Sequence, residues 1–160
     1  MGNVFVGSLC AIGVFLLSCR GYDVRDAIAG RLACVFAVGV ALFPTNSCAA
    51  AGAASAAISK VHWSCAGLLF LTLAYFCLKL FTETKGHPTR QKRQRNVVYR
   101  VCGWVILACI GLIAVVNLVP GAGAVVQGAR PVFLLESGAV IAFGVAWLTK
   151  GEMILKDQEA

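Results

Sequence analysis

A short basic run constrains the fold of this chain more than any other feature. It covers residues 90–96, with the sequence RQKRQRN, and it is the one strongly polar run in a very apolar sequence. Each flank carries an apolar segment that is about long enough to cross a bilayer. Because basic loops between such segments stay in the cytoplasm, the pattern predicts a multi-pass membrane protein whose orientation is set by this run.

The composition supports a membrane protein and argues against a nucleic-acid binder. The 160 residues are 59% hydrophobic and 13% charged, whereas soluble domains average about 45–50% and about 25%. The formal net charge is +7, but the basic residues crowd the ends of apolar segments. We therefore interpret the charge as a topological signal that also attracts anionic lipid headgroups, and we expect no nucleic-acid partner.

The apolar segments predict an all-α fold, with residues 1–160 forming a single transmembrane domain. The expected helices cover about residues 3–19, 27–43, 60–81, 97–119 and 131–149. With the basic loop inside, five spans place the amino terminus outside and the carboxyl terminus in the cytoplasm. Twelve of the 14 Lys and Arg residues then lie inside, and Lys60 and Arg130 lie outside, in agreement with the positive-inside rule.

Small residues recur at four-residue spacing in the second apolar segment. Ala29, Ala33, Ala37 and Ala41 form a stripe along one side of the expected helix. In lipid, helices associate through small residues of this kind because their backbones can then approach closely. The stripe therefore predicts a tight contact with another helix.

Five polar residues are expected to share a depth near the outer ends of the helices: Thr45, His62, Ser64, Asn117 and Glu136. Glu136 would lie about 7–8 Å below the start of the last helix, at 1.5 Å per residue. A charged carboxylate at that depth costs a few kcal/mol unless it is paired. Two interpretations stay open, namely a hydrogen-bonded lock within the bundle and a functional site.

The sequence contains no recognisable catalytic, cofactor or metal-binding set. His62 is the one histidine near a membrane segment, so it cannot supply both axial ligands of a haem. With one glutamate it also falls short of a three-ligand zinc site, although size and layout resemble ceramidase-like membrane hydrolases, which use several histidines and an aspartate. The eight cysteines form no Cys-x-x-Cys pair, and we interpret them as small hydrophobes, except Cys48 in a predicted loop on the oxidising side.

A second polar cluster is expected at the cytoplasmic ends of the helices. Opposite charges there can pair and close the base of the bundle, at roughly 0–1 kcal/mol for each surface pair. The alternative is recognition of lipid headgroups. The members of this cluster are Arg20, Asp23, Asp26, Arg31, Asn96, Tyr99 and Arg100, and Glu152 flanks the same helix ends.

Several short motifs are spread over most of the chain. They are Arg20-Gly21-Tyr22-Asp23, Phe43-Pro44-Thr45, His62, Arg95-Asn96-x-x-Tyr99-Arg100-x-Cys102-Gly103 and Glu136. Together they resemble a group of small bacterial multi-pass inner-membrane proteins of unknown function. The resemblance implies a bacterial cytoplasmic membrane as the location, and it implies no activity.

Three functions of different classes follow from these observations. The sequence favours a membrane protein without catalysis that acts by contact with membrane lipids, a second copy of itself or another membrane protein. One alternative is a small oligomeric transporter or proton-coupled carrier that uses Glu136 and His62. Another is a lipid-modifying membrane enzyme built on the outer polar cluster.

Overall fold

The computed structural model describes residues 2–18, 23–43, 53–84, 86, 89–119 and 130–154, and within these ranges it contains five α-helices and no strand. The helices are α1 (Gly2–Ser18), α2 (Val24–Leu42), α3 (Ala53–Tyr75), α4 (Arg90–Leu118) and α5 (Pro131–Lys150). A π-helical turn, Phe76–Leu80, directly continues α3. The predicted all-α class is confirmed.

Three stretches within the described residues are long and apolar enough to cross a membrane: Ala56–Leu80, Arg90–Leu118 and Pro131–Lys150. The chain therefore has the helices of a membrane protein. The other two helices are weaker candidates for physical reasons. α1 has 17 residues, and α2 carries Arg25, Asp26 and Arg31 within its 19 residues. The five-span arrangement and its orientation remain predictions.

Two helices begin seven residues earlier than the apolar pattern indicates. α4 starts at Arg90 instead of near residue 97, so the basic run is helical and not a loop. Lys, Arg and Gln are good helix formers, and Thr89 caps the helix because its Oγ1 accepts a 3.1 Å hydrogen bond from the Lys92 backbone N–H. α3 likewise starts at Ala53, in the alanine-rich stretch before residue 60. A hydropathy boundary marks where the chain becomes apolar, which is not where a helix begins.

The chain divides into two compact units, Met1–Thr72 (unit 1) and Leu73–Ala160 (unit 2). In unit 1, α1 packs on α2 through the predicted alanine stripe. Ala29, Ala33, Ala37 and Ala41 are all buried, as is Gly30. A Cβ atom added to Gly30 would lie 2.7 Å from the backbone oxygen of Leu16, so the two backbones are in direct contact. Small residues make this approach possible.

In unit 2, α4 packs on α5 and on the π-helical turn. The two helices are antiparallel, because Arg95 contacts Glu152 at one end and Gly138 lies beside Cys109 further along. Gly103 allows the closest approach to the π-helical turn, since a Cβ there would lie 2.5 Å from Cγ of Leu78. The buried face of α4 consists of Arg95, Tyr99, Cys102, Gly103, Ile106 and Cys109.

The opposite faces of these helices carry large exposed apolar side chains. Trp104 on α4 is 65% exposed, and Phe133 and Ile141 on α5 are 64% and 66% exposed. Where such helices cross a bilayer, exposed apolar side chains of this kind contact lipid. Within the described part of the chain six cysteines are free, and three of them, Cys77, Cys102 and Cys109, are buried in unit 2. Cys48 lies outside the described residues.

Replacing Ala37 with Leu should destabilise unit 1. Ala37 is fully buried, and a Cβ at Gly13 on α1 would sit only 3.5 Å from its Cβ, so overpacking should cost about 1–3 kcal/mol. Val35→Leu, at a position that is 64% exposed, is the matched control and should change little. Thermal unfolding of the purified variants in detergent measures both effects. Equal thermal midpoints would contradict a tight α1–α2 contact.

Candidate functional site

The most structured polar site in the described residues lies at one end of unit 2. Here the π-helical turn ends, α4 begins and α5 ends. Lys92, in the first turn of α4, donates a 2.8 Å hydrogen bond from Nζ to the backbone oxygen of Phe81. The carbonyl groups at a helix end lack intrahelical donors, so the half-buried Lys92 ammonium group supplies the donor that the Phe81 carbonyl lacks. We call this region the junction.

Aromatic side chains fill the junction. Their ring centroids lie 5.5–6.4 Å apart, in edge, tilted and stacked pairs, and such pairs contribute about 0.5–1.5 kcal/mol beyond the area they bury. Two cations face these rings, with Lys92 Nζ 5.5 Å from the Tyr99 centroid and Lys150 Nζ 5.9 Å from the Phe81 centroid, within the range of cation–π attraction. The rings are those of Phe76, Phe81, Tyr99, Phe143 and Trp147.

An ion pair closes the junction across α4 and α5. Arg95 Nη1 lies 2.9 Å from Glu152 Oε1, and the two side chains are 7% and 49% exposed. A buried guanidinium group needs a charged or polar partner because losing its water is costly. Glu152 still contacts water, so the ion pair has one buried member and one that is partly exposed to solvent.

The position of Glu152 depends on how α5 ends. Gly151 caps the helix, and Glu152 follows in the left-handed region, with φ 59°. The Met153 and Glu152 N–H groups donate to the Leu148 and Thr149 carbonyls, at 3.2 and 3.3 Å, which is the Schellman pattern. Glycine is the usual residue at this left-handed position, and a side chain there costs about 1–2 kcal/mol. The ion pair with Arg95 offsets this strain.

The predicted cytoplasmic cluster divides between the two units. Asp23 caps α2, since its Oδ1 accepts a 2.7 Å hydrogen bond from Val24 N–H, and it lies 4.0 Å from Arg25. Asp26 is half-buried in the first turn of α2, and Arg31 is exposed. Arg20 lies outside the described residues. In unit 1 this part of the cluster lies at the start of α2, and the contacts of Asp23 are with residues close to it in the sequence.

In unit 2 the structure separates residues that the prediction grouped. Tyr99 is buried in the junction, whereas Arg100, the next residue, is exposed on a different face of α4. The Asn96 side chain is half-buried, and its Oδ1 is buried and makes no hydrogen bond with the described residues. The prediction did not assign Lys92 or Arg95 to a site, and it placed Glu152 at the cytoplasmic helix ends without naming its partner. The spacing of Lys92, Arg95 and Tyr99 at three and four residues indicates a shared helix face, so this signal was present in the sequence.

The outer polar residues have mainly local contacts. His62 Nδ1 donates a 2.7 Å hydrogen bond to the backbone oxygen of Phe43, which ties α3 to the end of α2 within unit 1. Ser64 is exposed, and Thr45 lies outside the described residues. In unit 2, Asn117 is exposed and donates to the Ile113 carbonyl at 2.8 Å. Glu136 is half-buried on α5, and its grouping with the unit 1 residues remains a prediction.

The described residues contain no group of three or more His, Cys, Asp or Glu side chains that could hold a metal ion. The junction itself offers cations, aromatic faces and one carboxylate. Lys92 and Arg95 already have partners within this set.

Comparison with known proteins gives no match: no model of a protein family, no curated protein and no solved structure is significantly similar to this chain.

Arg95→Gln should destabilise unit 2, whereas Arg93→Gln should not. Both changes remove one positive charge from the same helix, but Arg95 is buried against Glu152 and Arg93 is exposed. Charged hydrogen bonds contribute about 1.5–3 kcal/mol, and the half-exposed partner lowers the expected loss to about 1–2 kcal/mol. Thermal unfolding in detergent compares the variants. Similar losses in both would show that net charge, and not the buried pair, stabilises the junction.

Proposed function

We propose that the protein is an integral membrane protein of five spans that acts by contact with anionic membrane lipids and not by catalysis. In this proposal the amino terminus lies outside, the carboxyl terminus and the junction lie in the cytoplasm, and the location is a bacterial cytoplasmic membrane. Contact with a second copy or with another membrane protein would be a further form of the same role.

The observation that carries the proposal is the length and charge of α4. Its 29 residues extend about 43 Å at 1.5 Å per residue, which is the thickness of a bilayer including its headgroup regions, about 40–45 Å. Five cations lie in its first 11 residues, Arg90–Arg100, and none lies in the remaining 18. If the apolar part crosses the hydrocarbon core, the first three turns extend through the headgroups. Cations at that depth attract anionic lipids by about 1 kcal/mol each.

The junction fits the same placement. Trp and Tyr favour the membrane–water interface, and Tyr99 and Trp147 meet at the junction beside Lys92 and Lys150. The transport alternative receives no comparable support, because His62 and Asn117 hydrogen-bond to backbone carbonyls of their own units. Transport through Glu136 and His62, and modification of lipids, stay alternatives.

The orientation can be tested with reporter fusions. A reporter that is active only in the cytoplasm should be active when fused after Ala160 and inactive when inserted within residues 49–55. The reason is the distribution of basic residues, with 12 on the proposed inner side and Lys60 and Arg130 on the outer side. The opposite pattern of activities would overturn the orientation.

Anionic lipid should stabilise the protein selectively. A ligand that binds the folded state raises stability by RT ln(1 + [L]/Kd), so phosphatidylglycerol should raise the thermal midpoint in neutral detergent more than phosphatidylcholine. The difference should shrink between about 0.01 and 0.15 M salt, since the Debye length falls from about 30 to about 8 Å. Equal effects of both lipids at low salt would refute a role in contact with anionic lipid.

A further inference from the structure

The cations of α4 divide into two sets by helix face. Lys92 and Arg95 point into unit 2, where they bind the Phe81 carbonyl and the Glu152 carboxylate. Arg90, Arg93 and Arg100 are exposed. The guanidinium groups of these three make no hydrogen bond or ion pair with any other described residue. The inward set is therefore occupied, and the outward set has hydrogen-bond donors to offer.

The outward arginines share their face with apolar side chains. Positions 93, 97, 100 and 104 follow one another at intervals of four, three and four residues, which places them on one side of a helix. Val97 is 61% exposed and Trp104 is 65% exposed. No Asp or Glu occurs anywhere in α4, so no carboxylate of this helix competes for the arginines.

The order of residues along this face matches the layers of a membrane. Trp104 lies about 6 Å along the helix axis from Arg100, and Arg93 lies about 10 Å away in the opposite direction, at 1.5 Å per residue. Tryptophan favours the boundary between headgroups and hydrocarbon. With Trp104 at that boundary, Arg100 lies at the level of the lipid phosphates. Arg93 lies about 10 Å further out, so its long side chain must extend along the helix surface to reach them.

We propose that Arg93, Arg100 and Trp104 form a binding site for an anionic phospholipid. The two guanidinium groups donate to phosphate oxygens, for which their planar forked geometry is well suited, and the indole ring packs against the glycerol and upper acyl region. The proposal rests on the membrane placement proposed above and identifies which residues make the lipid contact.

The apolar part of the face selects lipid over soluble phosphate. A free phosphate or a glycerol phosphate needs cations alone and gains nothing from Val97 or Trp104. A phospholipid uses both parts of the face, because its headgroup and its acyl chains are joined in the same order as Arg100 and Trp104.

Tryptophan quenching tests the site directly. The chain contains three tryptophans, Trp63, Trp104 and Trp147, so Trp63→Phe/Trp147→Phe leaves Trp104 as the reporter. The protein is reconstituted in phosphatidylcholine bilayers that contain a small fraction of brominated phosphatidylglycerol or, in parallel, brominated phosphatidylcholine. Stronger quenching by the anionic lipid measures its preference for the site next to Trp104.

Arg93→Gln/Arg100→Gln in this background should reduce the preference by roughly 25-fold, or roughly fivefold for each arginine, as about 1 kcal/mol per cation predicts. Lys60→Gln/Lys79→Gln removes the same charge from exposed positions on α3 and the following π-helical turn and should reduce it by less than fivefold. Glycerol phosphate at millimolar concentration should not relieve the quenching. Arg100→Gln alone, with roughly a fivefold loss, replaces the double variant if that variant does not fold.

The outcomes separate the site from the wider function. An unchanged preference in the arginine variant, or an equal loss in the lysine control, overturns the α4 site while lipid contact elsewhere still stands. Relief of quenching by glycerol phosphate overturns the lipid as the ligand. The absence of selective stabilisation of the parent protein by phosphatidylglycerol in detergent would instead remove the proposed function itself.

Discussion

Two inward-pointing cations at the start of α4 hold one end of unit 2 together. Lys92 and Arg95 lie at the amino end of their own helix, where the helix dipole disfavours positive charge. The antiparallel packing changes this balance, because it places the Phe81 carbonyl and the Glu152 carboxylate beside these cations. Each cation is thus unfavourable for α4 alone and favourable for the unit. The junction depends on tertiary contact and would not form in an isolated helix.

Unit 1 is held by a different physical principle. Its α1–α2 contact contains Gly13, Gly30 and the alanine stripe, and backbone atoms touch where Gly30 meets Leu16. Lipid supplies little hydrophobic force between apolar helices, so dispersion contacts at short range must bring them together. One unit therefore relies on small side chains, whereas the other relies on large aromatic rings and buried charge. A hydropathy profile does not distinguish these two modes of helix packing.

Particular residues show which parts of the fold and of the candidate site could be predicted from the sequence. The four-residue alanine spacing predicted the buried face of α2, because a local period is enough to define a helix side. The basic run predicted where the polar end of α4 lies, but it did not predict that these residues are helical. The start of α4 depends on the helix propensity of the basic run and on the Thr89 cap. The partner of Glu152 could not be assigned from the sequence. Its contact with Arg95 joins residues 57 positions apart and requires a left-handed backbone at a residue other than glycine.

The sequence pattern also did not show in which direction each basic side chain of α4 points. The positive-inside rule counts all five of its basic residues alike, because translocation responds to the number of charges and their position in the chain. Lipid binding responds to direction as well. Arg95 and Arg100 are five residues apart, so at 100° per residue they face opposite sides of the helix. Arg95 pairs with Glu152, whereas Arg100 is exposed. Some basic residues of such a helix are already paired within the protein and do not contact lipid. A count of all its basic residues therefore overstates the affinity of the helix for anionic lipid.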